Sequence, residues 1–484
     1  MRFRDRGVLV IGIVKGDKIR WTQPGSQITG EKIPGDLESW QLYQTDINEA
    51  LSSSYGLLQE RSSTLYHSYA PVTSAINKTS AYAVGGGLVF RSHPDHRILG
   101  IDRQEAMEWG KQFQLLIHYY ARMLGWYEKQ SVVFRGALIM GDSLLYFVRD
   151  DGGLDLVEAG GDTIDYKHAD GAKWDLGVLH DKYQRRAGIW TGQEVRFQDA
   201  VGDQQVIQFM LKELPRQLRG LPLAYKIIAL AKSHDRHLDA TVQRAVLESI
   251  MMGYSNTDTT NIATQIKNQA ESASRKKGIA RSAWERITGT RNLGAGNIYQ
   301  LKTGESINFT DLKTPSNNFG PFNEWLIKFV AMATDTTPGI IMSNYPTSYS
   351  SHRGEFNDFW KMVQLKRRIF EDKVARVVVR ELAKKLILDG TISAPGFFDS
   401  QLNQEAWLAG SFLGPVPGHI NPRQEVEAHR ISVEQSFQTR ADIASLYGNE
   451  WDNMIDEWGE QEAKWAGLSD DNQAEIIQEE VALV

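Results

Sequence analysis

One stretch limits the folds open to this chain more than any other. "LPRQLRGLPLAYKIIALAKSHDRHLDATVQRAVLESIMMG", from Leu214 to Gly253, puts Leu223, Ile227, Leu230, His234, Leu238, Val242, Ala245 and Ile250 on one face at helical spacing. Pro222 suits the first turn of that helix, where its missing N–H is not needed. Thirty residues at 1.5 Å each make a rod of about 45 Å. Helices of compact domains are ordinarily far shorter, so the expected fold is one that lets a rod project. The 484 residues, 41% apolar and 24% charged, leave ample material for a core around its root. That length corresponds to roughly two to four domains.

The flanking pattern is mixed, and the fold class it predicts is α+β and mostly helical. "GVLVIGIV" at 7–14 reads as a buried strand. It is too short to span a bilayer, and Lys15, Asp17 and Lys18 follow it in place of a cleavage pattern. Gln41 to Ala83 reads as helical, stopping at "VGGGLVF". Asp102 is expected to cap an amphipathic helix whose inner stripe is Ala106, Trp109, Phe113, Ile117 and Tyr120. "SVVFRGALIMGDSLLYFVRDDGG", from Ser131, reads as antiparallel strands, and β character continues to about residue 200. "GNIYQLKTGESINF" reads as a hairpin turning at Lys302 to Glu305. "FNEWLIKFVAMAT" and the segment from Phe356 to Gly390 read as helices, the second ended by the glycine. From Glu450 onward there are eleven acidic residues and one lysine.

Composition removes several chemistries. There is no cysteine, hence no disulfide, thiolate nucleophile or cysteine-ligated zinc. The net charge of −6 is too small to argue for nucleic acid or membrane binding in bulk. "YPTSYSSHRGEF", from Tyr345, gathers four serine and threonine hydroxyls with a histidine, an arginine and a glutamate. Ser351 and His352 are chain neighbours, which suits no nucleophile–base geometry, and no G-x-S-x-G elbow surrounds either. The segment reads as a polar loop between two helices. His234 and His237 have a metal-chelating spacing, yet His234 lies on the apolar stripe, so a packed and a surface histidine are expected. Neither "GGG" at 85–87 nor "GAG" at 294–296 is a phosphate loop. The remaining charged feature is basic: Arg275, Lys276, Lys277, Arg281, Arg286 and Arg291 against one glutamate. It suits either a solvated face or contact with phosphates or an acidic partner.

Several stretches, taken in order, resemble the lambda-type family of tailed-phage portal proteins. The Q-x-R-G-x-P turn of Gln217 to Pro222 opening the long helix is similar to that family's signature. So are the "GNIYQLKTGESINF" hairpin, and "SYSSHRGEF" preceded by "TPGIIMS". Upstream, "LLQERSSTLYHSYAPVTSAINKTSAYAVGGGLVF" resembles the family's N-terminal stretch, and downstream the segment from Ile420 to Glu457 resembles its close. Departures are "WDLGVLHDKYQRRAGIW" in place of the usual lead-in, Asn421-Pro422 for Asp-Pro, and a first fifty residues without a match.

The resemblance implies a non-enzymatic subunit of a ring, usually of twelve, with wing, stem, clip, tunnel loop and crown. Residues 1–220 would be the N-terminal region and wing, 221–253 the long wing-to-stem helix, and 254–312 the clip. Residues 313–336 would be the second stem helix, 337–354 the tunnel loop, 355–420 wing with the following loop, and 421–484 a helical crown with an acidic tail. Thr347, Ser348, Tyr349, Ser350, Ser351, His352 and Arg353 would line a channel for duplex DNA. The basic cluster would sit on a clip facing the terminase. Implied partners are other copies of the chain, double-stranded DNA, the terminase large subunit, head–tail connector or adaptor proteins, and major capsid and scaffolding proteins. No cofactor, metal or membrane is implied. The place would be the capsid portal vertex of the virion, after assembly in the host cytoplasm. Two other classes stay open on the residues alone: a metal-dependent nuclease with dispersed carboxylates, and another oligomeric capsid or scaffold component.

Overall fold

The computed structural model describes residues 46–150, 153–170, 173–250, 254–257, 305–308, 319–344, 349–416 and 422–440, with isolated positions between 443 and 466. The described chain opens with three helices: α1 (Ile47–Ser52), α2 (Tyr55–Ser68) and α3 (Ala70–Ala83). Asp46 caps α1 by accepting from the Asn48 N–H. Gly85 and Gly87 then take positive φ and turn the chain into β1 (Val89–Ser92). After the short α4 (His96–Leu99) comes α5 (Arg103–Met123), capped by Asp102 as its sequence predicts. Ala106, Trp109, Phe113 and Ile117 are buried on its inner face, and Tyr120 is half-buried.

The first half of the stretch read as strands, Ser131 to Met140, is not β structure. Trp126–Met140 is a helix, α6, bracketed by Gly125 and Gly141, both at positive φ. Inside it Gln130 is buried and pairs with both the N–H and the C=O of Leu88, at 2.9 and 3.1 Å. An apolar run of this kind fits a buried helix as well as a strand, and here packing against α2 and α3 decides. The sheet starts only at Asp142. β2 (Asp142–Asp150) pairs antiparallel with β3 (Gly153–Gly160) on one side. A four-stranded antiparallel meander follows: β4 (Trp174–Asp175), β5 (Val178–His180), β6 (Arg186–Trp190) and β7 (Glu194–Arg196). β8 (Val206–Met210) returns to the other edge of β2.

The rod begins later than its sequence predicts. Pro222 is buried and the Leu223 N–H donates to the Leu138 C=O at 2.8 Å, which holds this segment against α6. A 3₁₀ turn at Tyr225–Ile227 intervenes, and the α-helix α7 runs from Ile228 to Ile250. Its 23 residues span about 35 Å. Ile227 and His234 are buried, Leu230 and Leu238 half-buried, and Val242 is exposed. Among its described side chains the predicted apolar stripe is therefore covered near its root and open at Val242. Beyond it β9 (Tyr254–Thr257) pairs antiparallel with β10 (Glu305–Asn308). The first arm and turn of the expected hairpin at 296–309 lie outside the described residues.

Helix α8 (Phe319–Ala333) turns Leu326, Val330 and Ala331 inward. The short α9 (Pro338–Met342) is capped by Thr337. Where 337–354 was expected to be a loop, it contains α9 and the opening of α10 (Tyr349–Phe370). α10 continues through five π-helical residues, Glu371–Ala375, into α11 (Arg376–Leu388), and Gly390 at positive φ ends the run as expected. α12 (Gln401–Trp407), β11 (Gly410–Leu413) and α13 (Pro422–Glu434) complete the described elements, with β11 antiparallel to β1.

One large apolar core binds these parts. Phe134 of α6, Phe209 of β8 and Phe370 of α10 meet with ring centroids 5.0–5.9 Å apart, joining helix layer, sheet and long helix at one point. Among the described residues no helix is long and apolar enough to cross a membrane. The expected strand at 7–14, the basic cluster and most of the acidic tail lie outside the described residues.

Candidate functional site

Of the residues expected to face a channel, Thr347 and Ser348 lie outside the described residues, while Tyr349, Ser350, Ser351, His352 and Arg353 open α10. Ser351 is exposed; His352 and Arg353 are half-buried. Adjacent residues on a helix point about 100° apart and do not face each other. Ser351 and His352 are such neighbours at the start of α10. All six basic residues from Arg275 to Arg291 lie outside the described residues.

The approach to this segment is held firmly. Ser74 Oγ of α3 donates to the Ile341 carbonyl at 2.7 Å. Lys78 Nζ reaches the Ile340 and Ile341 carbonyls and, at 2.6 Å, Ser343 Oγ. A lysine at these last carbonyls of α9 meets acceptors the helix cannot satisfy itself. Burial lowers the pKa of that ammonium. On the other side Lys366 of α10 pairs with Asp335 at 2.9 Å. The residues from α8 to Asn344 are thus tied to α3 and to α10 before the chain enters the polar stretch.

The two histidines separate as expected. His234 is buried, with Nδ1 on the Tyr69 hydroxyl and Nε2 on Asn323 Oδ1 at 3.0 Å. Both ring nitrogens are engaged, which leaves none for a metal. Burial, then Asp235, push the Tyr69 hydroxyl up to about 12. His237 is exposed and lies against Phe322, ring centroids 5.2 Å apart. Among the described residues no group of three metal-ligating side chains is assembled.

Among the described residues a fully buried polar cluster stands where the sequence assigned no role. Arg219 and Asp142 form a salt bridge with both side chains fully buried. Arg219 Nε donates to Asp142 Oδ2, one terminal nitrogen to the Leu176 carbonyl at 3.1 Å, and the other to the Gly161 carbonyl at 2.7 Å. The Gly220 N–H donates to Asp142 Oδ1, and Gln208 Nε2 to Oδ2 at 3.3 Å. The Arg219 guanidinium lies 4.5 Å from the centroid of the Tyr55 ring, whose hydroxyl donates to the Gly220 carbonyl at 2.8 Å. Burial opposes the charge of Arg219, but Asp142 and Tyr55 more than offset it and its pKa is raised. Burial and then Asp142 hold the Tyr55 hydroxyl well above its ordinary range.

Two glycines make this contact reachable. A Cβ on Gly220 would lie 2.0 Å from the Gly141 carbonyl oxygen, and one on Gly141 2.4 Å from that of Gly220. The Q-x-R-G-x-P turn is therefore a structural clasp. It gathers α2, the start of β2, the meander and the base of α7 around one charge pair. The usable sequence signal was an arginine beside a glycine inside an otherwise apolar run; its partners, far away in the chain, carried none.

The family described as "Phage portal protein, lambda family" matches residues 34–367. Portal protein B of Escherichia phage lambda is 21% identical over 250 residues, covering 49% of this chain and 46% of the relative. The portal protein of Escherichia phage N15 is 19% identical over 250 residues, covering 49% and 47%. The matched segment spans about half the length of these curated relatives. Among solved structures, "Neck of native GTA particle computed with C12 symmetry" is similar at a TM-score of 0.40 and 13% identity, covering 81% of this chain and 93% of that one. "Virion of native gene transfer agent (GTA) particle" gives 0.39 and 13% over 82% and 93%. Both scores are too low to carry an argument. The family match is enough: this chain belongs to the lambda family of phage portal proteins.

Proposed function

We propose that this chain is one subunit of a twelve-membered ring at a single vertex of a phage capsid. The ring conducts duplex DNA inward during packaging and outward during ejection. The observation that carries the reading is the family match across 34–367, which takes in the Arg219 clasp, α7, α8 and the opening of α10. The ring assembles in the host cytoplasm with major capsid and scaffolding proteins. It receives the terminase large subunit first and head–tail connector proteins later. ATP hydrolysis belongs to the terminase, and the chain itself is not an enzyme.

In this reading Thr347 to Arg353 face the channel. Small hydroxyl groups give a polar lining that touches moving DNA without gripping it, whereas a ring of twelve unpaired cations would bind phosphate tightly and release counterions. Arg353 pairs with a carboxylate, Glu355 of a neighbouring copy, in preference to DNA. The cluster Arg275, Lys276, Lys277, Arg281, Arg286 and Arg291 lies on the clip and meets the terminase. Residues 421–484 form the crown, and its acidic stretch from Glu450 repels packaged DNA.

The first test is the solution mass of the purified chain by light scattering, with negative-stain images of the same fraction. A ring with a central hole and a mass near twelve times 54.6 kDa is expected. A compact dimer with metal-dependent nuclease activity would overturn the proposal. Reversing the charge of Lys276, Lys277 and Arg281 together should leave ring assembly intact and impair DNA packaging in vitro. Unchanged packaging removes that role from the cluster.

A further inference from the structure

Two exposed apolar stripes occupy unlike helices. On α5 the inward stripe of Ala106, Trp109, Phe113 and Ile117 has an outward counterpart. Leu115, Tyr119 and Met123 follow at four-residue steps and are 72%, 59% and 69% exposed. On α8, Phe322, Trp325 and Met332 form a second stripe, 43%, 50% and 65% exposed. Trp325 packs on Phe329 with centroids 4.2 Å apart and lies parallel to Phe322 at 6.3 Å, so this face is preformed.

The placement of the two helices is what makes the pair informative. α8 rests on α3, α3 on α6, and α6 on α5. α5 and α8 are thus the first and last helices of a packed series, and the two stripes lie on separate elements. An aromatic side chain carries about 150–250 Å² of surface, so each stripe offers roughly 300 Å² of apolar area. That is at the lower end of the largest patch a typical monomer exposes, and less than the roughly 800 Å² per partner of a stable association. Each stripe is thus sized as the apolar centre of a larger contact with a polar rim. A two-fold dimer pairs one patch with itself and would leave the other stripe in water. Head-to-tail association uses both and closes into a ring when the rotation between copies closes.

We propose that these stripes lie on the two neighbour-facing flanks of the subunit, each interface joining the α5 flank of one copy to the α8 flank of the next. The inference rests on the ring reading above and names the surfaces that build it. Its occupant is a second copy of this chain on each side.

The test is a mixing experiment with two full-length variants, Leu115→Glu/Met123→Glu and Trp325→Glu/Met332→Glu. All four positions are exposed in the single subunit, so circular dichroism should show both variants folded. Alone, each should lose association by roughly a hundredfold or more and run at 54.6 kDa where the unaltered chain forms rings. Mixed in equal amounts they retain one intact α8 flank and one intact α5 flank between them. They should then form a heterodimer of twice 54.6 kDa that grows no further. Should a charged variant fail to fold, Leu115→Ala/Met123→Ala and Trp325→Ala/Met332→Ala take its place, with ring dissociation on dilution as the readout. Rings from either variant alone, or a mixture that stays monomeric, overturn the assignment of these stripes while leaving the ring itself standing. An unaltered chain that stays monomeric under all assembly conditions overturns both.

Discussion

Replacing Arg219 with alanine tests what roots the long helix. The change leaves the fully buried Asp142 facing a neutral cavity, and leaves the Leu176 and Gly161 carbonyls without their donor. Breaking a buried pair by deleting one partner costs about 3–5 kcal/mol, and a stranded buried acceptor about 1–3 kcal/mol. The contributions overlap, so about 5 kcal/mol is the working figure. A folded domain holds only about 5–15 kcal/mol in total. At about 2–4 °C per kcal/mol for a unit of this size, the first thermal transition should fall by about 10–20 °C. Circular dichroism melts give the shift. Hydrogen exchange should localise it, with faster exchange at Leu218, Gly220 and Leu223, whose N–H groups are bonded around the clasp. Arg219→Lys keeps the charge but not the planar fork that meets three acceptors, so its loss should be intermediate. Arg219→Met with Asp142→Leu removes both charges and should regain part of the loss. A first transition within about 2 °C of the unaltered chain in Arg219→Ala would refute the reasoning, because ordinary surface changes stay within about 0.5 kcal/mol.

Three further outcomes are expected. Gly220→Ala forces a Cβ into the Gly141 carbonyl and should cost about 3 kcal/mol or more, seen as lost soluble yield and a lower melt, whereas Gly354→Ala on α10, with open space around it, should gain about 0.5–1 kcal/mol in the same melt. Arg367 donates to the Tyr82, Ala83 and Pro415 carbonyls at 2.6–2.7 Å, so Arg367→Ala should speed hydrogen exchange at Phe412 and Leu413 by tenfold or more, about 1.4 kcal/mol of local opening. The Tyr69 hydroxyl, pushed up to about 12, makes folding bind its proton more tightly than the unfolded chain does. That stabilisation is complete below about pH 10 and is lost as pH rises from there through 12, so the alkaline fall in melting temperature should be shallower in Tyr69→Phe.

Legibility followed the range of the interactions. α5 could be read because cap and stripe lie within one segment, and α10 with α11 because Gly390 stops them. α6 could not: Val132 and Val133 favour strands, and only the layer formed with α2 and α3 makes that run a helix. The start of α7 was misplaced because the Leu223 N–H, next to Pro222, bonds the Leu138 carbonyl, 85 positions away in the chain, in preference to local helix rules. His234 was read correctly as packed, since its place on the apolar stripe is a local fact, yet Tyr69 and Asn323 could not be named. The π-helical turn at Glu371 left no local mark. The charge pair of Arg219 with Asp142 joins residues separated by 77 positions. No periodicity records such a meeting.

The clasp gives α7 the mechanics of a cantilever. Its base is bolted to α2, β2, the meander and α6, while the Val242 side chain, four turns out, meets solvent. A sideways push at the far end of such a beam becomes a bending moment, largest where the support begins. Deflection grows with the cube of the free length, and α8 shortens that length by meeting the rod at His234 and His237. The buried bonds of the clasp thereby lie on the supported side of the rod, where that load is carried into the core.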